Sequence, residues 1–217
     1  MTQTNLAEEI TDFQNNFIPT IPEETFNLLM SELHTLIGQG LAEQAINVGD
    51  TFPAFSLSNA HESEVSLATM LKEGPLVISF YRGAWCPYCN LEIKALQNSL
   101  TDIQATGAQL VAISPQTPDK SADQVSISNL TFNVLSDDSN QLAKQCGLVF
   151  TLPESLRPIY ATWEIDIPGH NGDDTFELPM PATFIIGTDG IVKYAFIDMD
   201  YTKRLEPEII IEQLKAL

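Results

Sequence analysis

Positive charge is scarce in this sequence: 10 Lys and Arg stand against 29 Asp and Glu, a formal net charge of -19 over 217 residues. Nucleic acids and anionic membrane surfaces both reward basic patches, so neither is an expected partner. Long apolar runs are missing too. The one ending at Tyr81 falls far short of the ~20 residues that a membrane-spanning helix needs. Met1 to Glu9 lacks the basic start and apolar stretch of a secretion signal, which points to a cytoplasmic protein in a reducing compartment. Three cysteines do not read as a disulfide framework there, and a close pair among them reads as catalytic or metal-binding. Internal repeats and low-complexity tracts are absent.

What is present alternates between strand and helix patterns. Residues 1–46 stand apart. Leu6, Ile10, Phe13 and Phe17 repeat at helical spacing, Pro19 to Pro22 interrupts them, and a second helix is expected over 23–44. Such an amphipathic pair reads as a packed N-terminal helical extension or a homodimer contact rather than a ligand site. Over 47–217, strands are expected at 55–57, 75–81, Gln109–Ser114 and 132–135, with a hairpin of 183–187 and 191–196 across Asp189-Gly190. Helices are expected at 87–100, Pro118–Ser128, 138–146 with Asp137 or Asp138 as N-cap, and 207–216. The class is α/β, a central sheet with helices on both faces. One domain plus an extension fits this length better than two domains. Residues 152–181, rich in Pro, Gly and Asp, read as a long ordered loop beside the site.

The chemistry concentrates in Trp85-Cys86-Pro87-Tyr88-Cys89, with Arg82-Gly83-Ala84 turning the chain out of the preceding strand. Pro87 suits the first helical turn, where its missing N–H would have no intrahelical partner. Cys86 then lies at the helix N-terminus, where free N–H groups and the macrodipole favour an anion. A thiolate is that anion, so Cys86 reads as a nucleophile of lowered pKa, and Cys89 is close enough to close a disulfide with it. Structural zinc usually takes four ligands. Cys146, His34, His61 and His170 are isolated in sequence, so neither a metal nor an organic cofactor is expected.

Strand, Trp-Cys-x-x-Cys and helix together resemble the thioredoxin superfamily. The span from Val48 to Leu214 resembles more narrowly the AhpC/TSA (peroxiredoxin) family, through Gly49 to Pro53, Phe80-Tyr81, Val111 to Ser114 and Phe184 to Gly190. Within it the chain is similar to the peroxiredoxin-like branch with a thioredoxin-type Cys-x-x-Cys, sharing Arg82 to Cys89, Leu178 to Thr183 and Asp200-Tyr201-Thr202. The resemblance implies a thioredoxin-like fold on a central mixed sheet. It also exposes departures. The family pattern P-x-x-x-[TS]-x-x-C lays its Pro on Arg82, its Thr on Cys86 and its peroxidatic Cys on Cys89, and the family's later Arg falls near Pro181. The groups that polarise the peroxide O–O bond are thus replaced, which removes transition-state stabilisation rather than thiol chemistry. Pro181 matches the superfamily's cis-Pro, which lies against the Cys-x-x-Cys and helps dock a thiol partner.

The expected function is therefore thiol–disulfide exchange with a protein or small-molecule disulfide, Cys86 attacking and Cys89 resolving. The alternative is an antioxidant thiol peroxidase that reduces a hydroperoxide, with Cys89 at the peroxidatic position. Either requires a reducing thiol donor of the thioredoxin or glutathione type. Arg82 reads equally as a thiolate partner or as an exposed turn residue, and Trp85 as a shield over the site. Glu92 reads as a surface helix position or as a proton relay to the buried thiol, Cys146 as a small buried apolar residue, and His170 with Asp173 and Asp174 as a solvated loop. For Asp200 to Arg204 no catalytic role follows from the residues.

Overall fold

The computed structural model describes residues 5–217. Its centre is a seven-stranded sheet built from β1 (Ser56–Asn59), β2 (Glu64–Ser66), β3 (Leu76–Phe80), β4 (Gln109–Ser114) and β5 (Asn133–Ser136), together with two later strands. The short strands β6 (Val149–Thr151) and β7 (Glu177–Pro179) pair separately, and β8 (Ala182–Ile186) and β9 (Val192–Ile197) complete the large sheet. The order is β2-β1-β5-β4-β3-β8-β9. Strand β3 runs parallel to β4 and antiparallel to β8, so the sheet is mixed.

Every residue of β3 is buried, as a run of Leu, Val, Ile and Phe at the middle of a covered sheet must be. Its side chains alternate between two apolar layers: Leu76, Ile78 and Phe80 on one face, Val77 and then Tyr81 on the other. The second layer is closed by α4 (Pro87–Asn98) through Ile93 and Leu96. Each such side chain contributes about 1.5–3 kcal/mol on burial, which presses α4 onto the sheet and fixes its N-terminus at the end of β3.

Two helices precede the sheet, α1 (Leu6–Phe17) and α2 (Glu23–Gly38), and a single-turn helix, α3 (Leu67–Met70), lies between β2 and β3. The first free amides of α1 are satisfied from far along the chain: Leu6 and Ala7 N–H donate to the Glu206 carboxylate at 3.0 and 2.7 Å. Leu6 and Ile10 enter the layer of α4, whereas Leu29 and Leu36 enter the opposite one. Phe13 packs edge-on against Tyr88 at 5.2 Å, and Phe17 against Trp163 at 5.9 Å. The pair thus folds back onto its own chain at the Cys-x-x-Cys end of the sheet.

Four expected elements are corrected. The second helix stops at Gly38 instead of reaching residue 44, because the chain turns at Gly40 with φ +65°. The segment after β6 is not a loop. It holds a 3-10 turn at Glu154–Leu156 and two short helices, closed by the β6–β7 pair, with Leu156, Tyr160 and Ile167 buried. Proline and glycine there punctuate short helices rather than dissolve them. A helix at Leu100–Ala105 also follows α4 after a break at Ser99, where one continuous helix to residue 100 was expected. The helix expected over 138–146 is instead a 3-10 turn at Asp138–Asn140, broken at Ser139 with φ +53°, and a short helix at Gln141–Gln145 with Asn140 as its N-cap; Asp137 accepts from Leu142 and Ala143 N–H in that helix at 2.8 and 2.9 Å.

Candidate active site

The turn out of β3 needs glycine. Gly83 has φ +143°, and a Cβ placed there would lie 2.5 Å from Trp85 Nε1, so any larger residue would push the tryptophan away. Hydrogen bonds then pin the turn: Ala84 N–H to Gln116 Oε1 at 3.0 Å, Cys86 N–H to Gly83 O at 3.1 Å, and Asn90 Nδ2 to Ala84 O at 2.8 Å. Cys86 is the N-cap of α4, with Pro87 in the first turn and Cys89 on the helix's buried face. Both are free thiols with no exposed surface.

Two buried arginines converge on the two sulfurs. Arg82 Nη2 donates to Cys86 Sγ at 3.1 Å and Nη1 to the Tyr160 hydroxyl at 3.3 Å. Its guanidinium lies 4.2 Å from the Tyr201 ring centre and 5.1 Å from that of Trp85. Of the two readings of Arg82, the exposed turn residue is excluded. Arg204, in the segment after β9, donates through Nη2 to Cys89 Sγ at 3.3 Å and forms a 2.6 Å ion pair through Nε with Glu92. Ser79 Oγ, on β3, completes the set by donating to Glu92 at 3.3 Å.

Glu92 is therefore not a surface position. It shares the buried face of α4 with Cys89, Ile93 and Leu96. Arg204 is the residue that sequence reasoning missed. The available signal was scarcity: the chain has three arginines, Arg82, Arg157 and Arg204, and two of them meet at the sulfurs.

Burial alone would raise the Cys86 pKa, but the adjoining Cys89 thiol and both guanidiniums outweigh it, and Cys86 falls well below the ordinary thiol value. Burial and the neighbouring thiolate push Cys89 well above that value despite the same arginines. The two thiols titrate as a pair, with Cys86 favoured as the thiolate. For Glu92, burial prevails over the attraction of Arg204 and raises the carboxyl to about 7. Cys146 lies in the opposite core layer, pushed up to about 12 by burial and the nearby Asp137, and takes no part.

Trp85 is half-buried with its ring 5.8 Å from that of Tyr160. Pro181 is buried beside the site, since Ala182 pairs with Phe80. Its peptide bond is trans, contrary to expectation, for no peptide bond among the described residues is cis. The chain runs extended from β7 to β8 while Met180 N–H donates to Leu148 O at 2.8 Å, and the trans form continues that path. Among the described residues no group of His, Cys, Asp and Glu is arranged to hold a metal, and His170 with Asp173 and Asp174 forms none.

The description of the AhpC/TSA family matches residues 48–195. A Haemophilus influenzae protein provisionally named peroxiredoxin bcp is 34% identical over 103 residues, 48% of this chain and 66% of that protein. Peroxiredoxin Bcp of Escherichia coli K12 is 25% identical over 154 residues, 70% of this chain and 86% of its own. The chain thus spans just under two thirds of the first relative's length. Among solved structures, Peroxidoxin BcpB of Mycobacterium tuberculosis is similar with a TM-score of 0.63 at 23% identity, over 79% of this chain and 98% of that one. The reduced 2-Cys peroxiredoxin of Plasmodium vivax gives 0.62 at 18%, over 79% and 81%. Both likenesses are of fold, thioredoxin-like as expected. Helices α1 and α2 and Arg204 lie outside the matched residues.

Proposed function

Because the chain belongs to the AhpC/TSA family, we propose that it is a thiol-dependent peroxidase in which the Cys86–Cys89 pair reduces a hydroperoxide. This is the alternative of the two functions expected above, with the attacking thiol moved from Cys89 to Cys86, whose pKa is the lowered one. The family's O–O polarising groups are replaced in this chain, yet a buried arginine donates to each sulfur, Arg82 to Cys86 and Arg204 to Cys89, and this observation carries the reading. Arg82 also keeps a buried Nε–H without a partner, and a donor held in a dry site beside the attacking sulfur can receive the charge that develops on the departing oxygen.

In the proposed reaction the Cys86 thiolate attacks the distal peroxide oxygen, the O–O bond breaks, and the leaving alkoxide or hydroxide takes a proton. Cys86 becomes a sulfenic acid. The Cys89 thiol then attacks its sulfur, water departs, and a disulfide forms. A small or protein thiol of the thioredoxin or glutathione type restores the dithiol by exchange, so the disulfide chemistry first expected becomes the second half of the cycle. The division into an extension, 1–46, and a redox domain, 47–217, is supported by the family match beginning at residue 48. Work in the cytoplasm fits a pair that must be reduced after each turn.

The family register favours a second reading, Cys89 attacking first with Arg204 as its activator. Single-turnover oxidation separates them. Cys89→Ser treated with one equivalent of hydrogen peroxide should gain one oxygen on Cys86 by intact mass and peptide mapping. Rapid sulfenic acid on Cys89 in Cys86→Ser, with none on Cys86 in Cys89→Ser, would reverse the assignment.

A further inference from the structure

The turn that carries Arg82 and Cys86 has little stiffness of its own, because Gly83 within it can rotate where other residues cannot. What fixes it is a closed ring of amide side chains around the Ala84 peptide. Ala84 N–H donates to Gln116 Oε1 at 3.0 Å, and Gln116 Nε2 donates to Gln124 Oε1 at 3.3 Å. Gln124 Nε2 donates in turn to Asn90 Oδ1 at 3.3 Å, and Asn90 Nδ2 closes the ring on Ala84 O at 2.8 Å. One backbone group sets every direction: Ala84 N–H demands the oxygen of Gln116, and each amide then presents its other end to the next. Gln124 Oε1 also accepts from the Tyr81 hydroxyl at 2.7 Å. Tyr81 precedes Arg82 and Ala84 follows Gly83, so the ring grips the chain on both sides of the arginine.

We propose that Gln124 is a positioning residue for the thiol chemistry: from the helix Pro118–Ser128 it locks the turn at the spacing in which Arg82 Nη2 reaches Cys86 Sγ at 3.1 Å. The proposal rests on the reading above, in which Cys86 is the attacking thiol. Gln116 and Gln124 are buried, and a buried amide is stable only when it is bonded. Without Gln124, Gln116 Nε2 and the Tyr81 hydroxyl lose their acceptor and Asn90 loses its donor. The Ala84 peptide is then free to turn about Gly83, and Arg82 and Cys86 no longer share a fixed separation. A fully bonded buried network specifies one arrangement; an opened one does not.

Neutrality makes the test selective. The ionisable groups around Cys86 are Arg82 on its own turn, Cys89 and Tyr88 on α4, and Tyr201 and Arg204 in the segment after β9. Gln124 carries no charge, and Tyr81, its ionisable partner, is pushed far up by burial and stays neutral. Removing Gln124 therefore moves the Cys86 titration through geometry alone.

The experiment follows alkylation of Cys86 by iodoacetamide against pH in the reduced full chain, with peptide mass to locate the label. Gln124→Met keeps the length of the side chain and removes the amide. It should raise the Cys86 midpoint by about one pH unit, a tenfold change in ionisation, and slow oxidation by hydrogen peroxide about tenfold. Asn90→Ala, at the exposed end of the ring, should shift both in the same direction, and it serves if the methionine variant does not fold. The double variant should add nothing to Gln124→Met, because one break already opens the ring. Ser121→Ala is the control. It removes a contact with Ser136 Oγ at 3.1 Å from the same helix, outside the ring, and should lower stability without moving the midpoint. An unmoved midpoint in a folded ring variant, or an equal shift in Ser121→Ala, makes Gln124 an ordinary structural amide and overturns the proposal. Alkylation needs no peroxide, so a wild type oxidised no faster than a free thiolate overturns the peroxidase reading while the Gln124 result stands on its own.

Discussion

At the scale of single residues the account turns on Arg204. It holds Cys89 with one end of its guanidinium and Glu92 with the other, a division of labour that a planar fork can manage and an ammonium cannot. Arg204→Met should slow oxidation by hydrogen peroxide about 100-fold, the usual effect of removing one preorganised donor, and Arg204→Lys should recover only part of it. Stopped-flow fluorescence would read both; a change within twofold for the methionine variant would remove Arg204 from the chemistry. Glu92 supplies a pH prediction. Its carboxyl is raised from 4.5 to about 7 in the folded protein, so between those values the native state holds the proton that the unfolded chain has lost. The Glu92 contribution is then full below pH 4.5 and declines until pH 7. Glu92→Gln should lack that decline, so the difference in unfolding free energy between variant and wild type should change across this window and level off above it. A pH-independent difference would mean that Glu92 is ionised throughout. The Cys86 and Cys89 positions were legible because N-cap chemistry is local. Arg204 was not, since its meeting with Cys89 spans more than a hundred residues of chain and leaves no local pattern.

At the scale of elements, the legible parts were those with strong periodicity or punctuation: β3 as a continuous apolar run, the β8–β9 hairpin across Asp189-Gly190, and α4 opened by Pro87. The helices after β6 were misread because each has only about a turn of periodicity between proline and glycine, too little to register. Helix α1 was anticipated, but its capping by Glu206 was not. Glu206→Ala should cost about 1 kcal/mol, as loss of a capping side chain generally does, and should speed amide exchange in α1 before α4. Urea denaturation and hydrogen exchange would check both; uniform exchange along the chain would show that the two helices open together. Gly83→Ala should be far worse than an ordinary surface substitution, because strained φ and the clash with Trp85 fall at the same residue.

At the scale of the whole molecule, the sheet presents the C-terminal end of a central strand to a helix N-terminus, and two arginines supply positive charge to a chain that otherwise carries little of it. The net charge of -19 should make reduction of the disulfide by anionic glutathione accelerate as salt is raised, while reduction by uncharged dithiothreitol stays flat. Equal salt dependence for the two donors would show that the surface field does not reach the site.

The most direct test of the account is the second-order rate at which the reduced protein forms its Cys86–Cys89 disulfide with hydrogen peroxide at pH 7, read with intact mass after alkylation. A rate orders of magnitude above that of a free thiolate is the predicted result, because the arginines stabilise the transition state and not merely the thiolate. A rate equal to that of a free thiolate would contradict it, leaving the pair a disulfide exchanger on a peroxidase frame.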